Sequence, residues 1–207
     1  VCNSGYYSHE QIEDSERYNI NLSTVICKEC GLIFFNPMLS FEFLTDLYKN
    51  YYQSFHRYKT PDALVVTREV ERSKRLLDVL KENNVNTDLN ILDIGCSAGH
   101  ILAELYKSNN NYSVSGVEPD PNYIKYINEK HPYINTFEGM FEDIEFTQKY
   151  DLILLMHVIE QFRDINDFFS KLKNVMHEDS LVYVESPNIY SAYRNNKTLK
   201  PFLLVSK

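Results

Sequence analysis

The chain has 207 residues, 43% hydrophobic and 24% charged, which is enough to build a packed core and excludes a disordered chain. Its 21 Lys and Arg against 29 Asp and Glu give a formal net charge of −8. That disfavours a general nucleic-acid binder, whose affinity rests on basic groups neutralising phosphates. No apolar run approaches the roughly 20 residues of a membrane helix, and residues 1–10 show no basic segment followed by an apolar one, so neither a membrane span nor a signal peptide is expected. Four cysteines are few for a secreted disulfide scaffold of this length, so a cytoplasmic chain with reduced thiols is expected.

Three stretches differ in character: 1–40, 41–85 and 86–207. The first is polar and turn-rich until Val25-Ile26. Cys27-Lys28-Glu29-Cys30-Gly31 then leads into Leu32-Ile33-Phe34-Phe35 and Asn36-Pro37. A Cys-x-x-Cys-Gly turn between short apolar runs has the form of a zinc knuckle, with two thiolates on one side of a tight turn. Such a pair supplies half a tetrahedral site. Cys2 is the third candidate ligand and His9 a substitute. Two free cysteines in a hairpin turn are the alternative.

In the second stretch Phe43, Leu44, Leu47, Tyr48 and Tyr51 recur at helical spacing. The aromatics Tyr48, Tyr51, Tyr52 and Tyr58 either pack in the core or close over a site as a lid. Thr60-Pro61 reads as a cap with proline at the first helical position. The helix runs to about Lys81, with Val66, Val70, Ser73, Leu77 and Leu80 as its buried stripe. Arg68, Glu71, Arg72, Lys74 and Arg75 fall on a solvated face.

From Leu89 onward strands and helices alternate. Strands are expected over 89–94, 112–118, 134–138, 151–156 and 180–185, and helices over about 98–107, 120–130 and 166–176. Alternation of this kind argues for an α/β fold with a parallel sheet covered on both faces.

The strongest chemical signal is Asp93-Ile94-Gly95-Cys96-Ser97-Ala98-Gly99-His100, where a strand ends and a helix begins. Gly95 and Gly99 permit a sharp turn and the close approach of a ligand. Glu118 ends the next strand, and an acid there can accept two hydrogen bonds from a ribose diol. A dinucleotide site wants G-x-G-x-x-G, and that pattern fails at Ser97 and at His100. An adenosylmethionine site has a looser loop that begins with an acid, here Asp93.

These segments resemble the class I S-adenosylmethionine-dependent methyltransferases. Asp93 to Gly99 is similar to the family's first motif and Val117-Glu118-Pro119-Asp120 to its second. Glu138 to Ile144 resembles the segment bordering the adenine, with Met140 where the family often has aspartate. Asp151 to Phe162 is similar to the segment around the fourth strand, with Gln161 in place of a histidine, and Val184-Glu185-Ser186-Pro187-Asn188 matches the end of the fifth. Cys30 to Ser40 resembles a branch in which a Cys-x-x-Cys zinc knuckle precedes the core, often in sugar, capsule or natural-product pathways.

The resemblance implies a Rossmann-like methyltransferase sheet in 86–207, its last strands incomplete, behind a zinc-knuckle segment and a helical lid. It implies S-adenosyl-L-methionine as cofactor, S-adenosyl-L-homocysteine as product and, on Cys2, Cys27 and Cys30, a structural zinc. The implied cofactor contacts are Asp93, Gly95, Cys96, Ser97, Gly99, Glu118, Pro119, Met140, Phe141 and His157. Asp93 would face the methionine ammonium, Glu118 the ribose and Phe141 the adenine. His157 and Glu160 are the implied catalytic acid–base candidates. The implied acceptor is a small molecule, such as a nucleotide-linked or capsular sugar. An RNA methyltransferase and a non-catalytic binding module of the same fold are the rival readings.

Overall fold

The computed structural model describes residues 7–10, 24–51, 63–85 and 88–187. The chain divides into two compact units, one within 1–44 and 186–207 and the other over 45–185.

In the first unit three short strands, β1 (Tyr7–Glu10), β2 (Thr24–Cys27) and β3 (Ile33–Phe35), form an antiparallel sheet in that order. The expected hairpin is present: Thr24 lies opposite Phe35 and Ile26 opposite Ile33. The Cys27 N–H donates to the Leu32 carbonyl at 2.9 Å and the Gly31 N–H to the Cys27 carbonyl at 3.0 Å. Gly31 takes φ +73°, a left-handed turn that suits glycine. Cys27 is buried and Cys30 exposed. Cys2 lies outside the described residues, and among those no three His, Cys, Asp or Glu are grouped to hold a metal. Two thiols fall short of the four ligands of a structural zinc site, so no role is derived from zinc.

Ser40 opens helix α1 (Phe41–Asp46) by accepting the Phe43 N–H at 3.1 Å, and a π turn covers Leu47–Tyr51. In the second unit, helix α2 (Ala63–Glu82) buries Ser73, Leu76 and Leu80. The buried stripe is therefore rotated from the expected one: Leu76 is fully enclosed, whereas Leu77 is only partly buried against the same core.

Five parallel strands form the main sheet: β4 (Asn90–Ile94), β5 (Ser113–Glu118), β6 (Asn135–Glu138), β7 (Tyr150–Met156) and β8 (Met176–Glu185), in the order β6-β5-β4-β7-β8. Connecting them are α3 (His100–Ser108), α4 (Pro121–Lys130) and α5 (Ile165–Asn174). Residues 152–155 of β7 are at most 1% exposed, as a continuous apolar run in a central parallel strand should be. Alternate residues of β4 feed two cores. Ile91 packs with Leu76, Leu102 and Leu154 on one face, and Leu92 with Ile153, Phe168 and Leu172 on the other.

Asp120 caps α4 by accepting the Asn122 N–H at 2.8 Å, with Pro121 at the first helical position. Asp164 caps α5 in the same way. β8 starts four residues before the expected point. Ser180 holds that extension by accepting the His177 N–H and donating to the Tyr150 carbonyl, each at 2.7 Å, beside a register irregularity between Tyr150 and Leu152. Strand order reverses between β4 and β7, so a crevice opens at their carboxyl ends, where open α/β sheets bind ligands. No described helix is long and apolar enough to cross a membrane.

Candidate active site

A cleft of about 380 Å³ lies at the carboxyl ends of β4, β5 and β7, within the second unit. Its floor is the turn after β4. Gly95 at φ +78° and Ser97 at φ +50° bend the chain there, and the N–H groups of Gly95 and Cys96 both donate to the Val117 carbonyl, at 2.9 and 3.0 Å. The turn is thereby fastened to the end of β5. Glu118 completes the fastening: one carboxylate oxygen accepts the Ser97 N–H at 2.9 Å and the other the Asp120 N–H at 3.0 Å. Each oxygen retains a lone pair for a further donor. Cys96 is small because its sulfur sits over Gly116, where an added Cβ would lie 2.5 Å from it. Burial, with Asp93 and Glu118 nearby, pushes that thiol well above its ordinary range, so it carries no nucleophilic thiolate.

The cleft is crowded with acids. Asp93 is 2% exposed and Glu118 8%, and Glu69 reaches the same wall from α2. Burial raises Glu118 to about 7 against the opposing pull of its two backbone donors. Burial also raises Glu69 to about 7, with Arg72 acting the other way. Asp93 is pushed well above its ordinary value, first by burial and then by the charges of Glu69 and Glu118. Burial raises Glu142 on the same wall as well, and desolvated carboxyls held reluctant to ionise in one cleft are suited to receive a cation.

The basic side chains of the wall are Arg72 and His157. Arg72 is partly committed: its Nε lies 3.1 Å from Glu185 Oε1, and Arg75 approaches the same oxygen at 3.7 Å. His157 takes φ +57° at the end of β7, donates its N–H to the Glu185 carbonyl at 2.7 Å, and places Nε2 3.1 Å from Glu185 Oε1. Glu185 thus ties β8, His157 and α2 together at the cleft's edge.

The family model described as "Methyltransferase domain" matches residues 53–205. The chain belongs to the methyltransferase-domain family. A relative, (S)-tetrahydroprotoberberine N-methyltransferase of Eschscholzia californica, is 34% identical over 101 residues, covering 46% of this chain and 29% of that protein. The ubiquinone biosynthesis O-methyltransferase of Rhodopseudomonas palustris is 29% identical over 125 residues, 58% of this chain and 46% of the other. The chain thus spans less than half the length of these two methyltransferases. Among solved structures, the plantazolicin methyltransferase BpumL, in complex with a triazolic desmethylPZN analog and SAH, superposes with a TM-score of 0.57 at 18% identity, over 74% of this chain and 60% of that one. Magnesium protoporphyrin IX methyltransferase (ChlM) from Synechocystis PCC 6803, with bound SAH, gives 0.51 at 13% identity over 66% and 68%. These likenesses establish the methyltransferase fold.

Of the residues expected to bind a cofactor, Asp93, Gly95, Cys96, Ser97, Glu118, Pro119, Met140, Phe141 and His157 line this methyltransferase cleft. Gly99 does not. At φ +73° it starts α3, and an added Cβ would lie 3.1 Å from Ile127, so close helix packing and not ligand access explains it. The Phe141 ring is 2% exposed and sits 5.5 Å from both Phe146 and Phe168, as core. Glu160 is exposed and absent from the cleft wall, which Gln161 and Phe162 reach instead. Sequence reasoning missed Glu69, Arg72 and Glu185. The first two are three apart on α2, one face of a helix, and Arg72 belongs to the cleft rather than to the solvated face expected for it.

Proposed function

We propose that the protein is a class I methyltransferase that binds S-adenosyl-L-methionine in this cleft and methylates a small-molecule acceptor. The observation that carries the reading is Glu118, a buried carboxylate that locks the turn after β4 to the start of α4 while keeping lone pairs for a ribose diol. The donor set fits the cofactor: Asp93 would hold the methionine ammonium, Glu118 the ribose hydroxyls, and the backbone around Met140 would border the adenine. When bound, S-adenosyl-L-methionine supplies a methyl already activated on a sulfonium. The chain's own work is then to hold the acceptor in line, exclude water and accept a proton where the acceptor must lose one. His157 would serve the last task; its position on the cleft wall and the contact of one ring nitrogen with Glu185 support this reading. Glu160, outside the wall, is given no step.

A small-molecule acceptor is supported by the relatives named for tetrahydroprotoberberine and ubiquinone biosynthesis. Neither name concerns a nucleotide-linked or capsular sugar, and no observation favours RNA. The zinc expected on Cys2, Cys27 and Cys30 forms no part of this reading. Calorimetric titration tests it. S-adenosyl-L-homocysteine should bind at micromolar concentration and NAD should not, and Glu118→Ala should weaken the former at least about tenfold, the scale of two lost hydrogen bonds to a charged group. Equal binding of NAD, or no loss in the variant, would overturn the assignment.

A further inference from the structure

The proposed reading gives no work to Glu69. Asp93 answers the methionine ammonium and Glu118 the ribose, Asp120 caps α4, and Glu142 feels the charge of Lys171, but Glu69 is a further carboxylate on the same wall, contributed by α2 and not by the sheet. Its Oε2 is buried and has no hydrogen-bond partner among the described residues. The basic group whose charge acts on it is Arg72, one helical turn along, whose Nε is engaged by Glu185. Across the cleft the charge of Glu69 acts on Asp93, which has the same sign. A carboxylate kept in such a place weakens the empty fold, since its desolvation is only partly offset by Arg72 and Asp93 repels it. The position makes chemical sense when a cation enters.

We propose that Glu69 is the charge-selecting residue of the cleft, favouring the cationic methyl donor over the neutral thioether left after transfer. The inference rests on the proposed function. Donor and product share the ammonium, carboxylate, ribose and adenine, and differ by the methyl and the positive charge on sulfur. A negative charge beyond those answering the shared groups acts alike on the groups the two ligands share, so the ratio of their affinities reports its effect on the sulfur charge. It strengthens donor binding before transfer and drops out once the S–CH₃ bond has broken and its electron pair rests on sulfur, which eases product release. A unit charge across a cleft of this size, partly screened, is worth about a factor of ten in binding.

The experiment is calorimetric titration of the protein with S-adenosyl-L-methionine and with S-adenosyl-L-homocysteine at about pH 8, where Glu69 is ionised. It is repeated on Glu69→Gln, which keeps the shape and removes the charge, and on Glu71→Gln, an exposed acid of the same helix. The expected result is an affinity ratio, donor over product, that falls about tenfold in Glu69→Gln and is unchanged in Glu71→Gln, with product affinity moving less than about twofold. Circular dichroism melts confirm that both variants are folded. A ratio unchanged in Glu69→Gln overturns the proposal, as does an equal loss for both ligands, which would assign Glu69 to a shared group. Failure of either ligand to bind the folded wild type overturns the proposed function, and this inference with it.

Discussion

Replacing Glu118 by glutamine should make the unliganded protein more stable at alkaline pH while weakening its ligand. Glu118 is held at about 7 in the fold against 4.5 unfolded, chiefly by burial. A carboxyl raised in the fold leaves full stability below its unfolded value and takes stability away as pH rises through the folded one. Across that interval the loss is about 3 kcal/mol, at about 1.4 kcal/mol for each tenfold change in proton affinity. Glutamine resembles the neutral acid in shape, with one oxygen to accept and one amide group that cannot. At about pH 5, where Glu118 is largely protonated in the fold, variant and wild type should therefore unfold at similar urea concentrations. At about pH 8 the variant should be more stable by roughly 2–3 kcal/mol. Asp93 and Glu69 titrate in both proteins, and because Asp93 feels the charge of Glu118 the variant relieves Asp93 as well, which moves the difference in the same direction. The assay is urea unfolding followed by circular dichroism at a series of pH values, together with calorimetric titration of S-adenosyl-L-homocysteine. A difference that does not vary with pH, or that favours the wild type more strongly at pH 8, would refute the view that this acid is kept at a cost to the fold.

Two further changes probe the scaffold. Phe168→Ala removes a ring that is 0% exposed, stacked on Phe162 at 3.8 Å and 5.5 Å from Phe141, and should cost about 3–5 kcal/mol in urea unfolding; a loss under about 1 kcal/mol would mean that this core collapses around the gap. Gly116→Ala would put a methyl 2.5 Å from the Cys96 sulfur and 3.1 Å from Leu102, and should cost about 1–3 kcal/mol and displace the turn that carries Ser97. Adding Cys96→Ala removes the sulfur and should recover most of the loss in both melting temperature and ligand affinity, and no recovery would place the strain in the 3.1 Å contacts with the Cβ of residue 96 and with Leu102 instead.

The sheet and its order of elements were legible because β4 and β7 are short apolar runs and α4 and α5 open on side-chain caps, and these signals are local. Asp120-Pro121 and Asp164 announce α4 and α5 by their own chemistry. The turn after β4 was equally legible, since an acid, a glycine and a following helix share one short segment. The limits lie where a residue's role depends on another element. Gly99 looks like a ligand glycine in sequence, yet Ile127 and Ile134 from α4 and the approach to β6 make its lack of a side chain a packing need. Phe141 has the right neighbours for an adenine contact, but Phe146 and Phe168 claim its ring.

Arg72 and Glu69 show the same limit most plainly, because helical periodicity reports only which face is apolar. A cleft is a polar place on the inner side of a helix. A charged side chain facing a cleft breaks the apolar stripe in the same way as one facing water, so period alone assigns both to solvent. What separates them is the partner across the gap: Glu185, more than a hundred residues on, for Arg72, and the carboxyl of Asp93 for Glu69. Burial of Ser73 and Leu76 beside these charges gives the face away in the structure. The acids that the fold finds hardest to accommodate are therefore the residues whose presence a cationic ligand best accounts for.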